Sequence, residues 1–313
     1  MIEEPLVTVN ILSFNRKDEL RNTLTKVYEQ DYKNIEVIVV DNASSDGSAE
    51  MVKSEFPKVQ LIQLEKNIGI AGWNEGFKVA KGEYVLVLDD DSYPLQETIR
   101  AGVNLIEQED TTGIIAYKIF NTFLQRLEEN FNIEKPYSFI GCGAIIKKSL
   151  IEKVGGYNNS YFLYHNELDF AACSLNLGYG IKLSDEIVIH NFNSLNRNNN
   201  NSSPLLSRFR YYHFFVSQSI FFLQRLKISY AIKMMFKWLI NRFLIAIVYG
   251  YYHEFLSAFW TILKNFYKYY NTRKILELDL QKKYLHLIAY VDRNFFPNFN
   301  KPSFKNLSFK NKV

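Results

Sequence analysis

The sequence predicts an α/β fold in which a mostly parallel sheet is flanked by helices, with a helical appendage at the C-terminal end. Three observations carry this expectation. β-Branched and near-continuous apolar runs alternate with segments of helical period over residues 6–88. Turn-rich polar clusters follow those runs. Finally, the composition changes sharply after the Asn/Ser-rich run Asn193–Ser203, which offers nothing apolar to bury and reads as a linker. The chain is accordingly divided into a sheet domain, residues 1–203, and a basic, aromatic helical region, residues 204–313.

The elements follow in order. Leu6–Leu12 is a β-branched strand, and Arg16–Gln30 places Leu20, Leu24 and Val27 at helical spacing. Ile35–Val40 is the near-continuous apolar run of a strand covered on both faces, and it ends in Asp41-Asn42-Ala43-Ser44-Ser45-Asp46-Gly47. A helix over Ser48–Glu55, a short strand over Val59–Leu64, a helix over Gly72–Ala80 and an apolar strand over Tyr84–Leu88 continue the alternation. Beyond residue 114 the pattern is less regular. It contains a strand over Phe139–Ile146, a helix over Lys148–Val154, a helix over Glu167–Leu177 stopped by Gly178, and an apolar strand, Ile187–Ile189, before His190. Ligands of such sheets gather beyond the carboxyl ends of the strands, where the clusters at Asp41 and Asp89 fall.

Composition narrows the classes. A chain of 313 residues with 47% hydrophobic residues builds a sizeable core, which excludes disorder as the main state. Met1-Ile2-Glu3-Glu4-Pro5 has no basic segment leading into an apolar run, so a cytoplasmic location is expected. Cys142 and Cys173 are too few for a disulfide framework and lack zinc-site spacing. Residues 205–313 hold 18 Lys plus Arg against 4 Asp plus Glu, or +14, which leaves 19 against 29, or −10, for the rest. A basic tail of this kind faces something anionic, and the acidic front carries the carboxylate chemistry. No G-x-G-x-x-G opens the first helix, which argues against a dinucleotide-dependent dehydrogenase.

Asp89-Asp90-Asp91 directly follows the apolar strand Tyr84–Leu88, so three carboxylates crowd the end of a buried element and need a counter-charge. A divalent ion, Mn²⁺ or Mg²⁺, supplies it, because such ions take hard oxygen ligands and bridge a carboxylate to a substrate phosphate. Asp89 and Asp91 would project differently, one ligating the ion and the other approaching the ribose or the ion's waters. The competing structural reading makes the triplet a set of turn and N-cap carboxylates before a helix beginning near Pro94.

The Asp41–Gly47 cluster, then Asn67-Ile68-Gly69-Ile70-Ala71-Gly72-Trp73-Asn74-Glu75-Gly76, then Leu88-Asp89-Asp90-Asp91 resemble family 2 glycosyltransferases of the GT-A fold in order and spacing. The likeness continues through Phe139-Ile140-Gly141-Cys142-Gly143-Ala144, Gly155-Gly156-Tyr157, Tyr164-His165-Asn166-Glu167-Leu168-Asp169, Gly178-Tyr179 and His190, about the first two thirds of the chain. It implies a Rossmann-like sheet and an inverting, metal-dependent transfer of a hexosyl or deoxyhexosyl group. The donor would be a UDP- or dTDP-linked sugar and the acceptor a saccharide or lipid-linked hydroxyl. Gly72-Trp73-Asn74 and the long tail resemble the rhamnosyltransferase-like branch.

By the same resemblance Ser13 and Asn15 line the nucleotide, Asp41 accepts a hydrogen bond from the base, and Asn67 with Gly69 flanks the donor pocket. Asp89 and Asp90 lie on the donor side, Asp91 with Asp89 holds the metal, and His190 contacts the metal or the diphosphate. Glu167 is the general base, with Asp169 sharing the catalytic carboxylate work at the helix start. Taken singly, Asp41 is an Asx turn, the glycines answer a need for backbone freedom, Glu167 is N-terminal helix charge and His190 is structural. The family more often has Glu-Asp where this chain has Asn166-Glu167. That departure motivates an alternative, a catalytically inactive relative acting as a membrane-associated assembly partner.

In the tail, Arg208-Phe209-Arg210-Tyr211-Tyr212-His213, Lys233-Met234-Met235-Phe236-Lys237-Trp238 and residues 264–274 mix cations with aromatics at helical spacing, as interfacial helices do. They predict peripheral contact with the inner face of the cell membrane; the alternative is packing on each other or on a second copy. The longest uncharged stretch, Phe243–His253, is far below the ~20 residues that span a bilayer. No nucleic-acid partner is expected, because no binding module is recognisable and the front is acidic.

Overall fold

The computed structural model describes residues 4–128, 136–191 and 207–295, with side chains to residue 288. The linker expected at Asn193–Ser203 lies outside the described residues. The first elements are β1 (Val7–Ser13), α1 (Lys17–Tyr28), β2 (Ile35–Asp41), α2 (Ser48–Glu55), β3 (Gln60–Gln63), α3 (Trp73–Val79) and β4 (Tyr84–Asp89). They alternate as the apolar periodicity requires. β1 pairs in parallel with β2 and β4, and β2 with β3. Beyond β4 the sheet becomes mixed: β8 (Ala144–Lys147) is antiparallel to both β4 and β6 (Thr112–Asn121), and β9 (Gly180–His190) runs parallel to β6. β5 (Ser92–Pro94) closes the path antiparallel to β9, in the order β3-β2-β1-β4-β8-β6-β9-β5, and β7 (Arg126–Leu127) pairs with β6.

Alternate residues of the parallel strands feed two cores. Val7, Val9, Ile11, Val37, Val39, Leu86 and Leu88 pack beneath α1, α2 and α4 (Thr98–Glu107); Ile38, Val40, Val85 and Val87 face the other layer. Three local expectations shift. The helix expected from Gly72 is preceded by a 3-10 turn over Gly69–Gly72, and α3 lies so close to β1 that a Cβ on Gly76 would meet Asn10 Oδ1 at 2.0 Å. The strand expected over Phe139–Ile146 pairs only from Ala144. No helix begins at Pro94: Pro94 ends β5, at the sheet edge, where a residue without an N–H does least harm to the ladder.

The C-terminal helices are α7 (Arg208–Arg225), α8 (Ile228–Tyr249), α9 (Tyr252–Lys264), α10 (Phe266–Asn271) and α11 (Leu278–Phe295), after α5 (Lys148–Val154) and α6 (Asn166–Asn176) in the sheet domain. Ser207 caps α7, its hydroxyl accepting from the Arg210 N–H. α7 is buried on nearly every side. Its Phe214, Phe215, Phe221 and Phe222 belong to the same apolar cluster as Phe139, Tyr157, Tyr161 and Phe170 of the sheet domain, so the core runs through the compositional boundary near residue 203. Among the described residues no helix is long and apolar enough to cross a membrane.

Because α7 shares its core with the sheet, Phe221→Ala is expected to cost about 3–5 kcal/mol. Urea unfolding followed by far-ultraviolet circular dichroism and by tryptophan fluorescence should give one coincident, shifted transition. Two separated transitions would mean that the helices fold as an independent unit.

Candidate active site

The site is assembled at the carboxyl ends of β1, β2 and β4. Register brings Ser13 opposite Asp41 and Leu12 opposite Asp89, so residues distant in sequence end side by side. Ser13 and Asp41 are both buried. Asn15, in left-handed backbone (φ 53°) that asparagine tolerates, donates its N–H to Ser44 Oγ (2.9 Å) and accepts from the Ser45 N–H (2.7 Å). The Asp41 carboxylate accepts from the Ser44 N–H (3.2 Å), the Asx turn that its sequence allows. These bonds sew the loops after β1 and β2 into one floor.

Asn67 Oδ1 accepts from the Gly69 N–H (2.8 Å), and Asn42 closes the same loop by donating to the Gly69 carbonyl (3.0 Å) and accepting from the Ile68 N–H (2.9 Å). Gly69 has φ 66°, and a Cβ there would stand 2.0 Å from the Phe162 carbonyl oxygen, so only glycine fits.

The triplet divides its work. Asp90 is buried; its carboxylate accepts from the Phe14 N–H (3.0 Å) and pairs with Arg16 (3.1 Å), which also reaches Asp91. Burial pushes the Asp90 carboxyl above its usual range, opposed by Arg16 and reinforced by Asp91. Asp90, expected on the donor side, is thus turned inward as an anchor for Arg16. Asp89, Asp91 and His190 each offer a ligand atom within 4.8 Å of the others. His190 reaches them because β5 and β9 pair with Ser92 opposite His190, and its Nε2 lies 3.5 Å from Asp91 Oδ1. Glu128 stands behind it, 3.1 Å from Nδ1. Burial works against a charge on this imidazole, but Asp91 and Glu128 outweigh it and raise the pKa to about 10. Two carboxylate oxygens and an imidazole nitrogen, which would release its proton on binding a metal, with a second carboxylate orienting the ring, are a donor set that fits a divalent cation.

Glu167 lies in the first turn of α6. Its carboxyl approaches Gly141 so closely that a Cβ there would stand 2.1 Å from Oε1. Burial raises its pKa to about 7, helped by the charge of Asp89 and opposed by the nearby N–H groups of its own backbone, of Asn166 and of Gly141. Asp169 is directed elsewhere. It is buried in a bidentate pair with Arg225 (2.6 and 2.8 Å) and accepts from the Tyr161 hydroxyl (3.2 Å). The two acids expected to share one task point to different partners. Sequence reading missed Arg16, Glu128 and Arg225, and gave Gly141 a place in a motif without a role; of the three missed, only Arg16, a cation beside an acidic cluster in need of counter-charge, left a usable signal.

A mostly parallel sheet carrying a carboxylate–imidazole donor set at its carboxyl edge, near a half-buried carboxyl group, matches the GT-A type of sugar transferase. Solved structures share the fold. The mannosyltransferase PcManGT from Pyrobaculum calidifontis, in complex with GDP-Man and Mn²⁺, matches with a TM-score of 0.56 at 18% identity over 95% of this chain and 83% of that one. Residues 1–349 of S. aureus TarS with UDP-GlcNAc match with a TM-score of 0.54 at 18% identity over 75% and 72%. The chain belongs to glycosyl transferase family 2, whose sequence profile matches residues 8–169, just over half of its length. Among its relatives, the Escherichia coli UDP-Glc:alpha-D-GlcNAc-diphosphoundecaprenol beta-1,3-glucosyltransferase WfaP is 27% identical over 60% of this chain and 76% of its own. The amylovoran biosynthesis glycosyltransferase AmsB of Erwinia amylovora is 33% identical over 49% of this chain and 48% of its own length.

One pH dependence follows from the turn before α6. Burial holds the His165 imidazole down to about 4, against the pull of Gln218 and Asp169. The folded chain therefore binds its proton later than the unfolded chain, so the contribution of neutral His165 is complete above pH ~6.5 and lost as pH falls towards 4. His165→Asn, which tolerates the left-handed backbone, should shrink the stability difference between pH 7 and pH 4 by up to about 3 kcal/mol. Urea titrations of both proteins at the two pH values check this.

Proposed function

We propose that the chain transfers a hexose or deoxyhexose from a UDP- or dTDP-linked donor, with inversion, to a hydroxyl of a saccharide or lipid-linked acceptor in cell-surface polysaccharide or glycolipid assembly. The observation that carries this reading is the Asp89–Asp91–His190 donor set with the Glu167 carboxyl under the influence of Asp89. UDP-Glc and a diphosphoundecaprenol acceptor in the name of the Escherichia coli relative support a uridine donor and a lipid-linked acceptor.

Glu167 takes the proton of the acceptor hydroxyl. The acceptor oxygen bonds to the anomeric carbon as the bond from that carbon to the diphosphate oxygen breaks, and its electron pair leaves with the diphosphate. One displacement inverts the configuration. A carboxyl raised to about 7 by burial is matched to proton abstraction near neutral pH. Asp89, Asp91 and His190 would hold Mn²⁺ or Mg²⁺, which supplies positive charge to the departing diphosphate. Ser13, Asn15, Asp41, Asn67 and Gly69 form the nucleotide floor. The inactive-partner reading, prompted by Asn166, is not favoured, because Glu167 supplies a half-buried carboxyl group of raised pKa of its own.

Glu167→Gln should lower kcat by about 100-fold or more while leaving donor binding close to wild type. Asp91→Asn should abolish Mn²⁺-dependent turnover and weaken Mn²⁺ binding, read directly by electron paramagnetic resonance. Nucleotide release from a panel of sugar nucleotides checks both; full activity in either variant sinks the assignment.

The same reading puts α8–α10 on the cytoplasmic face of an anionic membrane, beside a lipid-linked acceptor. Phe236 and Trp260 are each 66% exposed and Tyr267 is 77% exposed, with Lys233, Lys237 and Lys264 exposed among them. An apolar surface interleaved with lysine suits an interface with acidic headgroups. Vesicles containing phosphatidylglycerol should carry the protein upward in flotation, and a Phe236→Glu/Trp260→Glu variant should stay behind. No flotation, with light scattering reporting a dimer that the same substitutions dissociate, would assign the surface to a second copy instead.

A further inference from the structure

The backbone just before Glu167 is strained. Tyr164 and His165, neither of them glycine, both hold φ 68° in consecutive positions. Left-handed backbone disfavours bulky side chains and persists only where the surroundings dictate it.

Here one face of α7 does the dictating. Ser217 Oγ donates to the Leu163 carbonyl (2.7 Å), and Phe214 packs edge-on against Tyr164 and tilted against His165, with centroids 5.7 and 5.3 Å apart. Gln218 Oε1 lies 2.8 Å from His165 Nε2, and Phe221 also lies against the His165 ring. Arg225 forks onto Asp169, on the far side of Glu167. Positions 214, 217, 218, 221 and 225 share a helical face, so α7 grips the chain at 163–165 and again at 169. Arg225 is itself held, because its backbone carbonyl accepts from the Leu276 N–H (3.0 Å).

We propose that this face of α7 positions the general base. It holds the strained turn so that the Glu167 carboxyl stays against Gly141, and Gln218 and Arg225 are positioning residues that act through α6. The proposal rests on Glu167 as the base. A purely apolar contact would hold α7 in place as well. The two-pronged guanidinium–carboxylate pair adds a fixed orientation for the first turn of α6, and orientation is what a base needs.

The test compares Gln218→Leu, Arg225→Met and Arg225→Lys with wild type and Glu167→Gln, in the full chain and well below each melting temperature. Steady-state turnover gives kcat, and calorimetry with Mn²⁺ and the nucleoside diphosphate gives donor-site affinity. Gln218→Leu and Arg225→Met should lower kcat by about 10- to 100-fold with affinity changed less than about two-fold. Arg225→Lys should recover part of that loss, since it keeps the charge but not the fork. Wild-type kcat in the folded variants, a loss that merely tracks the unfolded fraction, or a parallel loss of affinity overturns the proposal. If Arg225→Met does not fold, Gln218→Leu decides alone. An active Glu167→Gln would instead sink the parent assignment, so the two failures are distinguishable.

Discussion

Three successive carboxylates at the tip of a buried strand are the charge that the rest of the site must balance. Leaving them uncompensated out of water would protonate them or unfold the strand end. Arg16 and the Phe14 N–H answer Asp90, while His190, backed by Glu128, stands beside Asp91. Much of the local architecture follows. The chain turns straight from Asp91 into the edge strand β5, whose pairing with β9 delivers the imidazole, and the loop after β1 carries Arg16 over the triplet. Asp91 is shared between Arg16 and His190.

The second organising feature is the dual character of the C-terminal helices. α7 is core: it shares an apolar cluster with the sheet domain and carries the partners of His165 and Asp169. α8 and α9 bury Trp238, Ile245, Ala258 and Ile262 on one side and expose large apolar residues on the other. All three helices are rich in aromatic residues. Their contrast arises from position, because α7 lies between α8 and α9 on one side and the turn before α6 on the other, whereas α8 and α9 are covered on one side only.

The legible parts of the sequence were those governed by local periodicity. The near-continuous apolar run at residues 35–40 became β2 because a strand covered on both faces has no polar side to show, and Lys148–Val154 became α5 within its expected bounds. Elsewhere a neighbour distant in sequence decided the outcome. Asp-Ser before Tyr93-Pro94 has the chemistry of a helix start, yet β9 was available to pair and an edge strand formed instead. Asp169 has the spacing of a second catalytic acid, but a guanidinium 56 positions away claims its carboxylate.

The sequence by itself determined the βα alternation, the acidic strand tips, the set of motifs that marks the family and the cationic aromatic tail. All of these are encoded in residue type at short spacing. Tertiary structure alone decided that Arg16 meets Asp90 and Asp91 and that His190 gathers with Asp89 and Asp91, and it made α7 part of the sheet domain's core. The physical reason is that compensation of buried charge and restraint of a strained turn are non-local. Arg16 meets Asp91 across 75 positions and Gln218 meets His165 across 53, contacts that no local pattern can encode.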